Sequence, residues 1–402
     1  MSGTTRTATA TPGDRALDDT ALVSPAVAAH PTALLAVILV GYLMIIIDNS
    51  IVFTGVSKIR QDLGLSVIGV SWVQNAYALT FGGLLLLGAR AGDVLGRRRA
   101  FLLGLALFSL ASMAVGAAPT GPLLIAARAV QGIGSAVLAP STLGLLTAGF
   151  PEGRARTRAV AAYATMAGIG AAVGLVLGGV ITDLLSWRVG FFINVPIGLA
   201  LIWATLRYVA GTPGRAGRLD AAGAITSTAG MTSLVYGIVR TADAGWTDRV
   251  TLAALGAGAV LLAAFVAVER RAAEPILPLR LFASRQRSGA YAARLLFIGA
   301  MISYFLFLSQ FLQGVLGYTP LQVGAAFLPM TVINFLVAVR VPRLTARLGG
   351  ARLLALGVAV TFLGMAWLSR LSPDGSYLLQ VALPMVLIGA GQGLAFAPLT
   401  GA

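Results

Sequence analysis

Ala33-Leu34-Leu35-Ala36-Val37-Ile38-Leu39-Val40-Gly41-Tyr42-Leu43-Met44-Ile45-Ile46-Ile47-Asp48-Asn49-Ser50-Ile51-Val52-Phe53-Thr54 is apolar except for a short polar patch at Asp48-Asn49-Ser50. Its length is that of the ~20 residues an α-helix needs to cross ~30 Å of hydrocarbon. In lipid the backbone must satisfy its own hydrogen bonds, so such a block is a helix and not an open strand.

The block recurs along the chain. Similar segments fall at about 69–89, 101–118, 122–146, 159–183, 189–208, 220–239, 250–268, 290–312, 321–339, 352–369 and 378–400, separated by short polar joints. The expectation is an all-α polytopic membrane protein of about 12 transmembrane helices. Composition agrees: 57% of residues are hydrophobic and 11% charged, where a soluble domain carries roughly a quarter charged. The 49 glycines and 17 prolines suit membrane helices, whose close approach depends on small residues. Residues 1–32, rich in Thr, Ala and Pro, read as a disordered cytoplasmic tail and not as a cleavable signal.

The chain has no cysteine and one histidine, His30. Disulfides, thiolate chemistry and Cys-ligated metals are excluded, and a lone histidine before the first span builds no metal site. There is no Gly-x4-Gly-Lys-Ser/Thr loop for ATP, and no Ser/His or Cys/His pair for catalysis. No catalytic residue and no cofactor is therefore expected. The net charge of +15 does not point to nucleic acid, because the basic residues lie in the joints between spans. Of the 29 Lys and Arg, 21 fall on the side of the N-terminus and 6 on the other, with Arg128 and Arg294 inside spans. By the positive-inside rule the N-terminus is cytoplasmic, and an even number of spans returns the C-terminus to the same side.

Two charges lie deep in spans. Asp48 sits well inside the first block, where a carboxylate is costly unless it faces water or a partner. Desolvation favours the neutral form of a carboxyl, the property a proton carrier needs. The alternative is that Asp48 lies near the outer end, hydrated or bonded by Asn49 and Ser50. Arg128, within Leu124-Ile125-Ala126-Ala127-Arg128-Ala129-Val130-Gln131-Gly132-Ile133-Gly134, stays protonated and needs acceptors. Gln131, three residues on, shares its helix face. Arg128 is either a mechanistic partner for a nearby carboxylate or a structural polar anchor.

The loop Gly88-Ala89-Arg90-Ala91-Gly92-Asp93-Val94-Leu95-Gly96-Arg97-Arg98-Arg99 resembles the signature loop of the major facilitator superfamily. Arg128, Gln131, Gly132 and Gly134 resemble that family's second motif. Gly170-x3-Gly174-Leu175-x2-Gly178-Gly179 resembles its antiporter motif, with Leu175 where a proline usually stands. Asp48-Asn49-Ser50-Ile51-Val52, Ser71-Trp72-Val73-Gln74-Asn75-Ala76-Tyr77 and Ser186-Trp187-Arg188 with Phe192-Ile193-Asn194-Val195-Pro196 are similar to the fourteen-span drug:proton antiporter branch.

That resemblance implies an N-terminal six-helix bundle over 33–208, two extra linker helices over 209–288, and an incomplete C-terminal bundle of four helices over 289–402. Two final helices of the template are lacking, so the chain reads as a truncated member, a fragmentary gene product or part of a longer protein. The implied function is proton-coupled export of hydrophobic or cationic small molecules across a bacterial inner membrane, of the multidrug-efflux and antibiotic-resistance type. Asp48 and Arg128 would carry the coupling. Gly88, Asp93, Gly96, Arg97 and Arg98 would form a gate latch, and Phe305, Phe307, Gln310 and Phe311 would line a pocket or else belong to the bundle core. Partners would be the substrate, protons and the bilayer, with the chain a monomer. The alternatives are a dedicated exporter of one endogenous metabolite, or a non-transporting fragment of such a carrier.

Overall fold

A computed structural model of the protein describes residues 30–211, 213–214, 220–272, 275 and 277–401. Most of the expected tail, and Arg215 and Arg218 of the basic count, lie outside the described residues. The described chain is helical, and no strand occurs among the described residues. The helices are α1 (Pro31–Leu63), α2 (Val67–Leu95), α3 (Arg97–Ala117), α4 (Gly121–Gly149), α5 (Arg154–Leu184), α6 (Trp187–Phe192), α7 (Asn194–Tyr208), α8 (Ala221–Ala244), α9 (Arg249–Arg271), α10 (Arg285–Gly314), α11 (Pro320–Ala326), α12 (Leu328–Ala338), α13 (Val341–Leu348), α14 (Gly350–Leu368) and α15 (Leu383–Gly401).

Eleven spans among the described residues are long and apolar enough to cross a membrane. The segment expected at 159–183 falls within α5, a continuous helix of 31 residues whose described apolar stretch is Val173–Leu184. Two spans are broken, and proline explains both. Pro196 cannot donate to the carbonyl of Phe192, where α6 gives way to α7, and Pro329 cannot donate to Ala325, where α11 gives way to α12.

Helices α1 to α5 and α7 enclose a shared core that includes Ile38, Met44, Phe101, Phe108 and Leu138, and α6 packs its Trp187 and Phe191 with Ile51 and Leu124 in an adjoining one. Within the shared core α3 and α4 meet backbone to backbone. A Cβ on Gly134 would lie 2.6 Å from Phe108 N, and one on Gly104 2.7 Å from Leu138 N. Helices α8 and α9 form a hairpin that rests on α2, where the Trp72 and Tyr236 rings lie 6.1 Å apart. Asp248 caps α9, accepting from Thr251 N at 2.9 Å and from Arg240 Nε at 2.7 Å. The Arg240 bond, then the Thr251 N–H, hold its carboxyl at about 2, so this turn keeps its ion pair at any physiological pH. Helices α10 to α15 surround a second core containing Leu312, Phe327, Met385 and Ile388.

The joints place His30, Gly96, Phe150 and Tyr208 on one face of the bundle, called here the N-terminal face. Leu63, Trp187 and Gly121 lie on the opposite face, where Trp187 Nε1 donates to Asp62 at 2.8 Å.

Close backbone contact in lipid replaces the hydrophobic driving force available in water. Gly134→Val is therefore expected to cost about 1–3 kcal/mol through overpacking against Phe108, seen as a lower thermal unfolding midpoint of the purified protein.

Candidate functional site

Asp48 is sealed from solvent in the core of the first seven helices. It is residue 18 of the 33 in α1. Arg128 Nη1, from α4, donates to Asp48 Oδ2 at 2.6 Å. Gln131 Nε2 donates to Asp48 Oδ1 at 2.7 Å, and Asn194 Nδ2 of α7 donates to the same oxygen at 3.1 Å. Arg128 Nη1 also donates to Gln131 Oε1 at 2.7 Å, which fixes the amide so that its nitrogen faces the carboxylate. Ser112 of α3 accepts from both Gln131 and Asn194, and donates to the Phe108 carbonyl at 2.8 Å.

Three helices, α1, α4 and α7, thus meet on one carboxylate, and α3 joins them through Ser112. None of its partners is Asn49 or Ser50: Asn49 Nδ2 donates to the Ile45 carbonyl and to Tyr77, and Ser50 Oγ to the Ile46 carbonyl. The reading of a hydrated end-of-span aspartate does not describe this geometry.

The guanidinium is held on several sides. Its Nε donates to the Val73 carbonyl at 3.2 Å. The Tyr77 ring centroid lies 4.2 Å from the guanidinium carbon, a cation–π contact strengthened by desolvation. Nη2 is buried with no hydrogen-bond acceptor among the described residues. Tyr77 in turn donates to Ser135 at 2.8 Å. The buried pair is neutral as a unit, but each ion alone in this environment costs several kcal/mol.

Sequence reading singled out Asp48, Arg128 and Gln131 and missed Ser112, Asn194, Tyr77 and Ser135 as members. The available signal was a polar side chain interrupting an apolar run, as Asn194 does in Phe191-Phe192-Ile193-Asn194-Val195. Gly132 and Gly134 play a packing role here. A Cβ on Gly132 would run into Thr80 Oγ1 and lie 2.5 Å from the Tyr77 carbonyl, so this glycine brings α2, and with it Tyr77, against α4.

The signature loop lies on the N-terminal face. Gly96 adopts φ +89 between α2 and α3, a conformation that favours glycine. Gly88 packs its Cα against the Ala136 carbonyl of α4. Arg97 Nη1 donates to the Gly144 carbonyl at 2.7 Å and to Thr147 at 3.2 Å, and Arg98 Nη2 donates to the Leu206 carbonyl at 2.8 Å. Both arginines therefore cap the carboxyl ends of helices in the first bundle, where a cation is favoured. Asp93 is exposed, with no hydrogen-bond or ion-pair partner among the described residues.

The glycines of the antiporter-like motif divide between two neighbours. Gly170, Gly174 and Gly178 face α1: a Cβ would lie 2.9 Å from Leu43 Cδ1, 2.6 Å from Ser50 Oγ and 2.8 Å from Thr54 Oγ1 respectively. Gly179 faces α11, with the Pro320 carbonyl 2.5 Å from its would-be Cβ, and Gly324 of α11 meets the Leu175 carbonyl in return. Leu175, in the place of the motif proline, buries its side chain in the second core.

The α1–α10 seam adds a hydrogen bond from Ser309 Oγ to the Phe53 carbonyl at 2.5 Å. It also brings the Phe53 and Phe305 rings to 5.8 Å. These contacts between the two groups of helices lie toward the opposite face. The expected pocket set separates. Phe305 and Phe311 pack against the second core. Gln310 lines a small cavity of about 100 Å³ with Ser57 and Arg60. Phe307 is a correction: it is 67% exposed on the outer surface of α10, because it lies two residues beyond Phe305 and so points away from it.

Replacing Arg128 by Met strands an ionised carboxylate, a change worth about 3–5 kcal/mol. The double variant Asp48→Asn/Arg128→Met is expected to recover most of the lost thermal stability, measured on the purified protein. A double variant as unstable as the single would mean that the pair is not the source of the loss.

The sequence matches the Major Facilitator Superfamily over residues 38–402. It is 40% identical over 373 residues to the cephamycin export protein CmcT of Amycolatopsis lactamdurans, covering 92% of this chain and 77% of that one. It is also 40% identical to the puromycin resistance protein pur8 of Streptomyces alboniger, covering 90% and 73%. The multidrug resistance protein Stp of Mycobacterium tuberculosis is 34% identical, with 90% and 67% covered. Among solved structures, a peptide transporter POT bound to sulfate aligns with a TM-score of 0.63 at 16% identity, covering 92% of this chain and 81% of that one. The proton:xylose symporter XylE aligns with a TM-score of 0.59 at 14% identity, covering 92% and 80%. At that identity these two speak for the fold alone.

Proposed function

The chain belongs to the Major Facilitator Superfamily, and we propose that it works as a proton-coupled exporter of hydrophobic small molecules, cationic drugs among them. The observation that carries this reading is the Asp48–Arg128 pair, closed off among α1, α2, α3, α4 and α7. An ion pair sealed from the solvent surface has one inexpensive way to change state, which is to take up or lose a proton at Asp48. With Asp48 ionised, α1 is tied to α4 by the pair and to α7 through Asn194. Protonation at Oδ2 neutralises the carboxyl and leaves Arg128 with Gln131, the Val73 carbonyl and the Tyr77 ring. The tie between α1 and α4 then weakens, and α1 also carries Phe53 at the seam with α10. The proton gradient is the energy source, and no step calls for a cofactor or for catalytic chemistry.

The contacts of α5 with α11 and of α1 with α10 support reading this conformation as closed on the opposite face, with Asp93 of the latch disengaged. Placing the N-terminal face in the cytoplasm of a bacterial inner membrane follows the arginine bias. In this arrangement the first seven helices and the last four spans form two halves, with α8 and α9 accessory to the first. A narrower reading, export of one compound, is favoured by relatives named for a single product, such as the cephamycin export protein.

Everted vesicles loaded by an imposed pH gradient test the coupling with ethidium as cargo. Asp48→Asn is expected to reduce gradient-driven uptake, and substrate-driven proton release, to background. Full gradient-dependent uptake by that variant would sink the coupling role.

The latch has its own test, made simpler because the chain contains no native cysteine. Asp93→Asn should lower the population open on the opposite face, read as slower thiol labelling of a single cysteine at Ser57 during turnover. An unchanged labelling rate would remove Asp93 from the latch.

A further inference from the structure

On the N-terminal face, between the first turn of α3 and the last turn of α7, lies a cavity of about 710 Å³ lined by Arg98, Arg99, Leu102 and Leu206, with residues 211 and 213–214 as its far wall. Its charge is one-sided. α3 begins Arg97-Arg98-Arg99, has no acidic residue in its first turn, and receives no side-chain cap from Gly96. Three guanidinium groups at the positive end of a helix repel one another and the dipole unless an anion joins them. Arg97 turns away to α4. Arg98 is pinned at Nη2 by the Leu206 carbonyl, while its Nε is buried with no acceptor among the described residues. Arg99 is exposed.

The position of the cavity narrows the choice of anion. Along the outer surface above it, α3 presents Leu103, Leu110 and Met113, and α7 presents Leu199, Trp203 and Leu206, all exposed. In a multi-pass membrane protein such a stripe faces acyl chains, and Trp203 suits the interfacial belt. The arginines at the foot of that stripe therefore sit at headgroup depth. Basic pockets between membrane helices hold anionic headgroups in the same way.

We propose that this cavity binds the phosphate of an anionic phospholipid, with the Arg98 and Arg99 guanidinium groups at its wall as donors and the acyl chains lying along the α3–α7 stripe. The site begins two residues beyond the Gly96 turn and holds α3 to α7 through Arg98. A bound lipid thus stiffens the joint from which the signature loop projects. The inference needs only that the chain spans a membrane, and holds whichever way transport runs.

The test is lipid retention by the purified protein. The chain is reconstituted in nanodiscs of equimolar phosphatidylglycerol and phosphatidylcholine, extracted, and weighed intact by native mass spectrometry. Wild type is expected to retain phosphatidylglycerol in preference to phosphatidylcholine. Arg99→Gln, an exposed change that leaves the Leu206 bond intact, should weaken retention roughly five-fold, the contribution of one arginine near an anionic surface. Arg98→Gln should weaken it at least as much. Equal retention of both lipids by wild type, or undiminished phosphatidylglycerol on both variants, overturns the proposal. So does inorganic phosphate raising the unfolding midpoint of the detergent-purified protein as far as phosphatidylglycerol does, since the site would then hold any free phosphate.

Discussion

The bilayer offers no water, so a polar group inside a span must find its partner in the protein, and Asp48 is where that constraint bears hardest. One carboxylate recruits Arg128 and Gln131 from α4, Asn194 from α7, and through them Ser112 from α3. The arginine then imposes demands of its own, met by the Val73 carbonyl and the face of Tyr77. The relative positions of α1, α2, α3, α4 and α7 at mid-depth follow from satisfying two charges. A network with so little slack fixes each member through at least one other.

Around that polar centre the helices are brought together by the absence of side chains. Gly104 and Gly134 let α3 and α4 touch, and Gly132 brings Tyr77 of α2 close to α4. The glycines of α5 do something different. Three of them form the seam with α1 inside the first group of helices, while Gly179 receives α11 of the second. One helix therefore contacts both groups with different faces of the same small-residue run. α1 has a similar double role, with Asp48 turned inward and Phe53 at the seam with α10. Asp48 and the seam contact at Phe53 are separated by little more than one helical turn of α1.

The arginines of the signature loop illustrate how one motif serves two ends. Arg97 and Arg98 close the carboxyl ends of α4 and α7, a stabilising use of cations. The acidic member, Asp93, is left exposed. That carboxylate takes no part in the packing of the turn, which its arginines keep in place.

The sequence by itself determined the helical membrane class, the approximate spans and the charges that had to matter. The reason is that hydrocarbon thickness and backbone hydrogen bonding act on each segment independently. Asp48 and Arg128 were legible because a lone charge in an apolar run is conspicuous whatever surrounds it, and the family motifs were legible because their spacing is local. Only the tertiary structure decided which helices share the carboxylate. Asn194 and Ser112 lie 146 and 64 positions from Asp48 in the chain, and no local pattern links them. Tertiary packing likewise decided that Leu175, standing where a proline was expected, fills the second core, and that Phe307 faces outward while Phe305 meets Phe53. Such outcomes depend on helix rotation, which is set by the neighbours a helix finds and not by its own residues.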